Sequence, residues 1–216
     1  MPGVRFRGIM EDRTTEELIN TLGDDVDRCH KALVEAIDDG TVEEDGGIVA
    51  DYQFYARQFV RAVFSYIEGI TFSVKVSAAH FCMENGVNIS AQERFFAVDV
   101  DHALDDKGEV IEQRAMLRLA TNVRFAFMLT ERAHGIEKLF DPSIEWWSCF
   151  KKSIKVRDRL MHPKMPEDID ISGDEIIAVL KAYSGFNDLL MEYSKCKPKT
   201  RKRAKYKAVA RKPAGT

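Results

Sequence analysis

Arg157, Asp158 and His162 fall within six consecutive residues of the stretch "SIKVRDRLMHPKMPED", which runs from 153 to 168. Their types suit work on a phosphodiester. An imidazole titrates near neutrality, so it can take a proton from a ribose 2′-hydroxyl or give one to a leaving oxygen. A guanidinium can clamp a phosphate at two points and offset the charge of its transition state. Spacing limits what one copy can do. On a helix continuing through 162, Asp158 and His162 stack on one face and the carboxylate can orient the ring, whereas Arg157 lies about 140° around from His162. Two copies meeting across a twofold axis would instead line one cleft with two arginines and two histidines. The competing reading is the end of an amphipathic helix with solvated charges, since an Arg and a His at this spacing arise often by chance.

The elements that must position these residues are helical by periodicity. Thr14 with Glu17 fits a capping box, and Leu18, Leu22, Val26, Cys29, Leu33 and Ile37 recur at three- and four-residue spacing, which predicts a helix over 15–38. A second helix is expected from about Asp51 to Glu84, with Tyr52, Tyr55, Phe59, Val63, Ile67, Ile70, Val74 and Phe81 on one stripe. Phe54, Phe64, Phe72 and Val76 add apolar surface around it, which predicts a central place in a bundle or a seat against a second subunit. Ser90 with Glu93 opens a further segment in which 96–112 reads equally as a short hairpin or as frayed helix and loop. The helical pattern resumes from about Ile111 to His134. Asp141 as N-cap, Pro142 at the first position and Glu145 in the first turn then predict the helix that carries Trp147 and the Arg157 stretch. Ser172 with Glu175 caps a last helix, from Gly173 to about Lys195. The fold expected is an all-α bundle of five or six helices in a single domain, 1–195.

Charge divides the chain unevenly. The net charge is −3, yet from Lys195 onward there are ten Lys or Arg and no acid, which leaves 22 basic against 35 acidic groups before it. Residues 196–216 are therefore expected to be a disordered basic tail, either an arm folded back on an acidic body or a salt-sensitive grip on nucleic acid through Lys199, Arg201, Lys202 and Arg203. The most apolar stretch is broken by Glu68 and Lys75, so no membrane span is expected, and with no secretory signal the cytoplasm is the expected address. Cys29, Cys82, Cys149 and Cys196 are scattered without a C-x-x-C pair. No glycine-rich phosphate loop and no H-E-x-x-H occurs, which argues against an ordinary nucleotide-triphosphate enzyme. The acids of "DVDHALDDKGE" fail the calcium-loop template, whose glycine would put Ala103 at the first ligand position. They read as a solvated loop, and no metal or cofactor is expected. His30, His80 and His134 read as structural.

At "RDRLMH" the chain resembles the HEPN superfamily, whose signature is Arg, then Asn, Asp or His, three variable residues, then His. The resemblance covers about 50–195 in helix order, with the helix over 15–38 as an elaboration, and its specific part is the six-residue motif. It implies a dimeric up-and-down helical bundle with the motif lining a cleft between subunits, and metal-independent cleavage of RNA in toxin–antitoxin, phage-defence or stress systems. It implies Arg157 as phosphate binder, His162 as general acid or base, and Asp158 as polar helper. Arg159 and Lys164 could add contacts to phosphate. In the toxin branch that is regulated by an antitoxin a tyrosine stands two residues after the histidine; Lys164 occupies that position here, so regulation through such a tyrosine is not implied. The alternative is a non-catalytic helical module that binds RNA or an acidic protein partner.

Overall fold

The structure is a computed structural model that describes residues 13–38 and 50–196. It is an all-α bundle with one short antiparallel hairpin. In chain order the elements are α1 (Arg13–Asp38), α2 (Ala50–Asn85), α3 (Ala91–Ala97), β1 (Val100–Leu104), β2 (Val110–Arg114), α4 (Leu119–His134), α5 (Glu145–Met161) and α6 (Gly173–Lys195), with a 3-10 turn at Pro166–Ile169.

α2 is the centre of the bundle and packs against α1, α3, α4, α5 and α6. Its stripe buries Phe59, Val63, Ile67 and Ile70, and Val60 and Phe64 extend the buried surface around the helix. Phe54 and Phe72 stay largely exposed. α1 covers one side of α2 with Val26 and Leu33 buried, while Leu18 and Ile37 at its ends remain in solvent. The two helices approach closely at Gly69, where a Cβ would come within 2.6 Å of Leu22 Cδ1. α5 and α6 run antiparallel. Ion pairs mark both ends of their seam, Arg159 with Glu175 at 3.0 Å and Lys181 with Glu145 at 2.6 Å. Between them an aromatic cluster built on Phe127, Phe140, Trp147, Phe150 and Phe186 joins this pair to α4. Gly185 provides the second close approach: a Cβ there would lie 2.3 Å from Trp146.

Two capping boxes form as expected. Glu93 N–H donates to Ser90 Oγ at 3.1 Å while Ser90 N–H donates to Glu93 Oε2 at 2.8 Å, and Ser172 and Glu175 repeat the pattern. Two expected starts are corrected. Ile111 lies in β2 opposite Ala103, not in a helix, because Val110–Arg114 pairs residue for residue with β1 and α4 begins only at Leu119. Asp141 does not cap α5. Its Oδ1 accepts from Ser143 N–H at 2.8 Å and closes a turn, and the helix starts at Glu145 with Ile144 as N-cap. The open choice over 96–112 resolves as the end of α3 followed by the first part of a hairpin.

A two-stranded ribbon has little stability alone, and this one is tied down by a buried charge. Lys75 of α2 is wholly buried, and its ammonium bonds to the Asp99 carboxylate and, at 3.1 Å, to Phe96 C=O. Asp99 sits in the left-handed region at φ 56°, a conformation that Asp tolerates better than most residues. Its carbonyl accepts from Ala115 N–H at 2.8 Å, closing the base of the hairpin. Burial pushes the Lys75 ammonium pKa down while Asp99 pushes it back up, and the net shift is downward.

Candidate functional site

The last turn of α5 carries the motif. Arg157 is half-buried, with its guanidinium turned toward α2: Nη2 donates to Glu68 Oε1 at 2.5 Å, and Nη1 donates to Asp158 Oδ1 at 3.0 Å. The pairing of Arg157 with Asp158 is therefore direct. α5 ends at Met161, and His162 is its C-cap, with φ −137° and ψ 56° outside the helical region. Its backbone N–H still reaches Asp158 C=O at 3.2 Å. The side chain leaves the helical path, so the stacking of His162 on Asp158 expected for a helix running through 162 does not form. Asp158 answers Arg157 instead. The His162 imidazole is exposed and has no hydrogen-bond or ionic partner among the described residues. Pro163 follows at once, and a residue before proline is steered away from helical angles.

Arg159, which could have shared a phosphate clamp, is used internally. Nε donates to Asp168 C=O at 2.8 Å and Nη2 to Asp170 C=O at 2.6 Å, while Nη1 and Nη2 reach the two Glu175 oxygens at 3.0 and 3.1 Å. These bonds tie the end of α5 to the connecting turn and to the start of α6. Burial pushes the Glu175 carboxyl up, but the Arg159 bonds and then the Ser172 backbone bond carry it below the ordinary carboxylate value. Lys164 is exposed, and its backbone N–H and that of Met165 donate to Asp168 Oδ2 at 2.7 and 2.9 Å. Those bonds hold the Asp168 carboxyl low. Lys199, Arg201, Lys202 and Arg203 lie outside the described residues.

An open groove of about 740 Å³ lies elsewhere, around the C-terminal end of α4, lined in part by Glu93, Glu131, Arg132 and Lys138. Arg157, Asp158 and His162 take no part in it. Glu131 is a hub there: its Oε1 accepts from Leu139 N–H, Phe140 N–H and, at 2.6 Å, Tyr193 O–H. His134, one turn on, is buried with its ring 4.2 Å from that of Phe81 and its Nδ1 without a partner in the described residues. Burial lowers its pKa. Of the acids over 99–106, Asp99 holds Lys75, Asp101 Oδ1 accepts from His102 N–H, and Asp105 Oδ1 accepts from Lys107 and Glu109 N–H across the hairpin turn.

Glu68 and Lys75 were legible only as charges that interrupt an apolar stretch. Seven residues apart, they lie within about 20° of each other around α2. A signal was available at Lys75, because a charge buried on the packed side of a central helix needs a partner.

No helix of the described residues is long and apolar enough to cross a membrane. Comparison with protein families, with curated proteins and with solved structures finds no match to this chain.

Proposed function

We propose that the protein is an endoribonuclease of the HEPN type, acting on RNA without a metal ion through Arg157 and His162. The observation that carries this reading is the C-terminal end of α5, which bears both a half-buried guanidinium and, five residues on, an exposed imidazole with no partner among the described residues. In the reaction the ribose 2′-oxygen attacks the adjacent phosphorus and the bond from phosphorus to the 5′-oxygen breaks. The products are a 2′,3′-cyclic phosphate and a free 5′-hydroxyl. His162 takes the 2′-hydroxyl proton or supplies the one that the leaving oxygen needs, and Arg157 neutralises the phosphorane. Asp158 orients Arg157, since it touches the guanidinium and not the imidazole. A second copy of the chain belongs to this reading, because one His162 cannot serve both oxygens at once and a twofold cleft provides two. An effector in a toxin–antitoxin, defence or stress system, restrained by a regulatory protein, is the setting that the resemblance implies.

The test is incubation of the wild type and His162→Ala with structured and unstructured RNA in EDTA, followed by analysis of product ends. Cleavage by the wild type alone, leaving cyclic phosphate, supports the assignment; a His162→Ala protein that cuts as well as the wild type removes it. One observation favours a second reading, a non-catalytic module that binds RNA or an acidic protein. The Arg157 guanidinium already has two carboxylate partners, which is how a structural arginine is held. On that reading neither protein cuts, and Arg157→Ala lowers the melting temperature.

A further inference from the structure

Among the described residues, Arg157 is answered from outside its own helix by a single side chain, Glu68, 89 residues earlier on α2. The Glu68 side chain keeps 42% of its accessible surface and that of Arg157 keeps 30%, so the pair sits at the surface with solvent beside it. Exposed pairs of this kind are weak, because each charge loses hydration and side-chain freedom for a modest Coulomb gain. The neighbouring Arg159 makes the contrast plain. Its guanidinium donates four hydrogen bonds, two of them to main-chain carbonyls that cannot leave. Both partners of Arg157 are carboxylates on rotatable side chains. A carboxylate and a phosphate also present the same paired oxygens to a guanidinium.

We infer that Glu68 occupies the anion site of Arg157, so that a phosphate of RNA binds there by displacing the Glu68 carboxylate. The inference rests on the functional reading above for the identity of the anion, and it adds Glu68 as the residue that sets how readily that anion enters. Glu68 is a positioning residue in this scheme and touches no reacting atom. Removing its charge should tighten RNA binding, and the gain should run through Arg157 alone.

The experiment measures binding of a short fluorescent 2′-O-methyl oligoribonucleotide, which cannot be cleaved by 2′-oxygen attack, to the full chain. The wild type, Glu68→Gln and Glu68→Ala are each compared with the same change on an Arg157→Gln background. Asp174→Asn, an exposed acid that makes no bond to Arg157, controls for general loss of negative charge, and circular dichroism confirms that every variant is folded. The expected result is about three- to fivefold tighter binding in both Glu68 variants, the range that an exposed pair supports. The control should gain less, and the gain should vanish with Arg157→Gln. Binding unchanged in both Glu68 variants, or tightened equally without Arg157, overturns the inference and leaves Glu68 as a bridge between helices. The two readings fail separately. RNA cleavage in EDTA with no Arg157-dependent gain keeps the nuclease and removes the displacement; an Arg157-dependent gain with no cleavage does the reverse.

Discussion

Two arginines stand two residues apart on α5 and meet opposite surroundings. Arg159 is drawn into the corner between α5, the 3-10 turn and α6, where main-chain carbonyls and both Glu175 oxygens consume its donors. Arg157 lies on the rim, held by Glu68 and Asp158 and bordered by an exposed His162. A guanidinium fixed by backbone oxygens is architecture. One fixed by carboxylates on rotatable side chains can exchange partners, and the difference separates the residue that shapes the end of α5 from one whose donors can change partner.

That contrast can be broken from either side. The largest effect is expected at the rim: His162→Ala should lower RNA cleavage by about 100-fold or more, the range of a missing general acid or base. Its melting temperature should stay within about 2 °C of the wild type, because the side chain is exposed and unpartnered. A large thermal shift would instead make His162 part of the corner. Next comes the corner itself. Arg159→Ala should cost about 2–3 kcal/mol in denaturant unfolding, since it removes two bonds to Glu175 and one to each of two main-chain carbonyls. Arg159→Lys should recover only part, because an ammonium cannot reproduce the fork.

Removing residues 196–216 should then flatten the dependence of RNA binding on salt, by about 0.7 in the log–log slope for each phosphate that the tail neutralises. Equal slopes for the full and shortened chains would leave the phosphate contacts to cations of the described residues. The smallest effect is in pH. Glu175 has a folded pKa below its ordinary 4.5, so its contribution is complete above that value and is lost as pH falls through the lowered one. Glu175→Gln should therefore make unfolding less sensitive to acid below about pH 4.5. His134 acts in an earlier window: its folded pKa lies below 6.5, so the unfolded chain binds the proton first and stability declines as pH drops from 6.5. His134→Phe should flatten melting temperature against pH in that range and leave the Glu175 window unchanged.

The helices were readable because their apolar residues recur with the period of the fold, and the boxes at Ser90 and Ser172 are local, needing only a partner three residues on. The misread starts have a common cause. Ile111 and Asp141 each suit two local structures, and the choice fell to pairing that periodicity does not describe, Ile111 by its place opposite Ala103 and Asp141 by the nearer donor Ser143. The candidate site divides in the same way. Residue types and spacing singled out Arg157, Asp158 and His162, but spacing describes directions around one helix and says nothing of what crosses it. Glu68 is far away in the chain, so neither its bond to Arg157 nor the diversion of Asp158 from His162 could be read from "RDRLMH". Pro163 was the local warning that the helix would not carry His162 with it.

The close approach at Gly185 has a spectroscopic consequence. The chain's two tryptophans, Trp146 and Trp147, stand at the first turn of α5, one against Gly185 and the other buried among Phe140 and Phe150. Their emission will report whether α5 stays docked on α6, and a Gly185→Ala protein should show it red-shifted as the indole is forced outward. The same pair lies about 24 Å along the helix from His162. Intrinsic fluorescence is thus an internal gauge of the scaffold, and an RNA titration that leaves it unmoved still leaves the rim to be followed by a label on the nucleic acid.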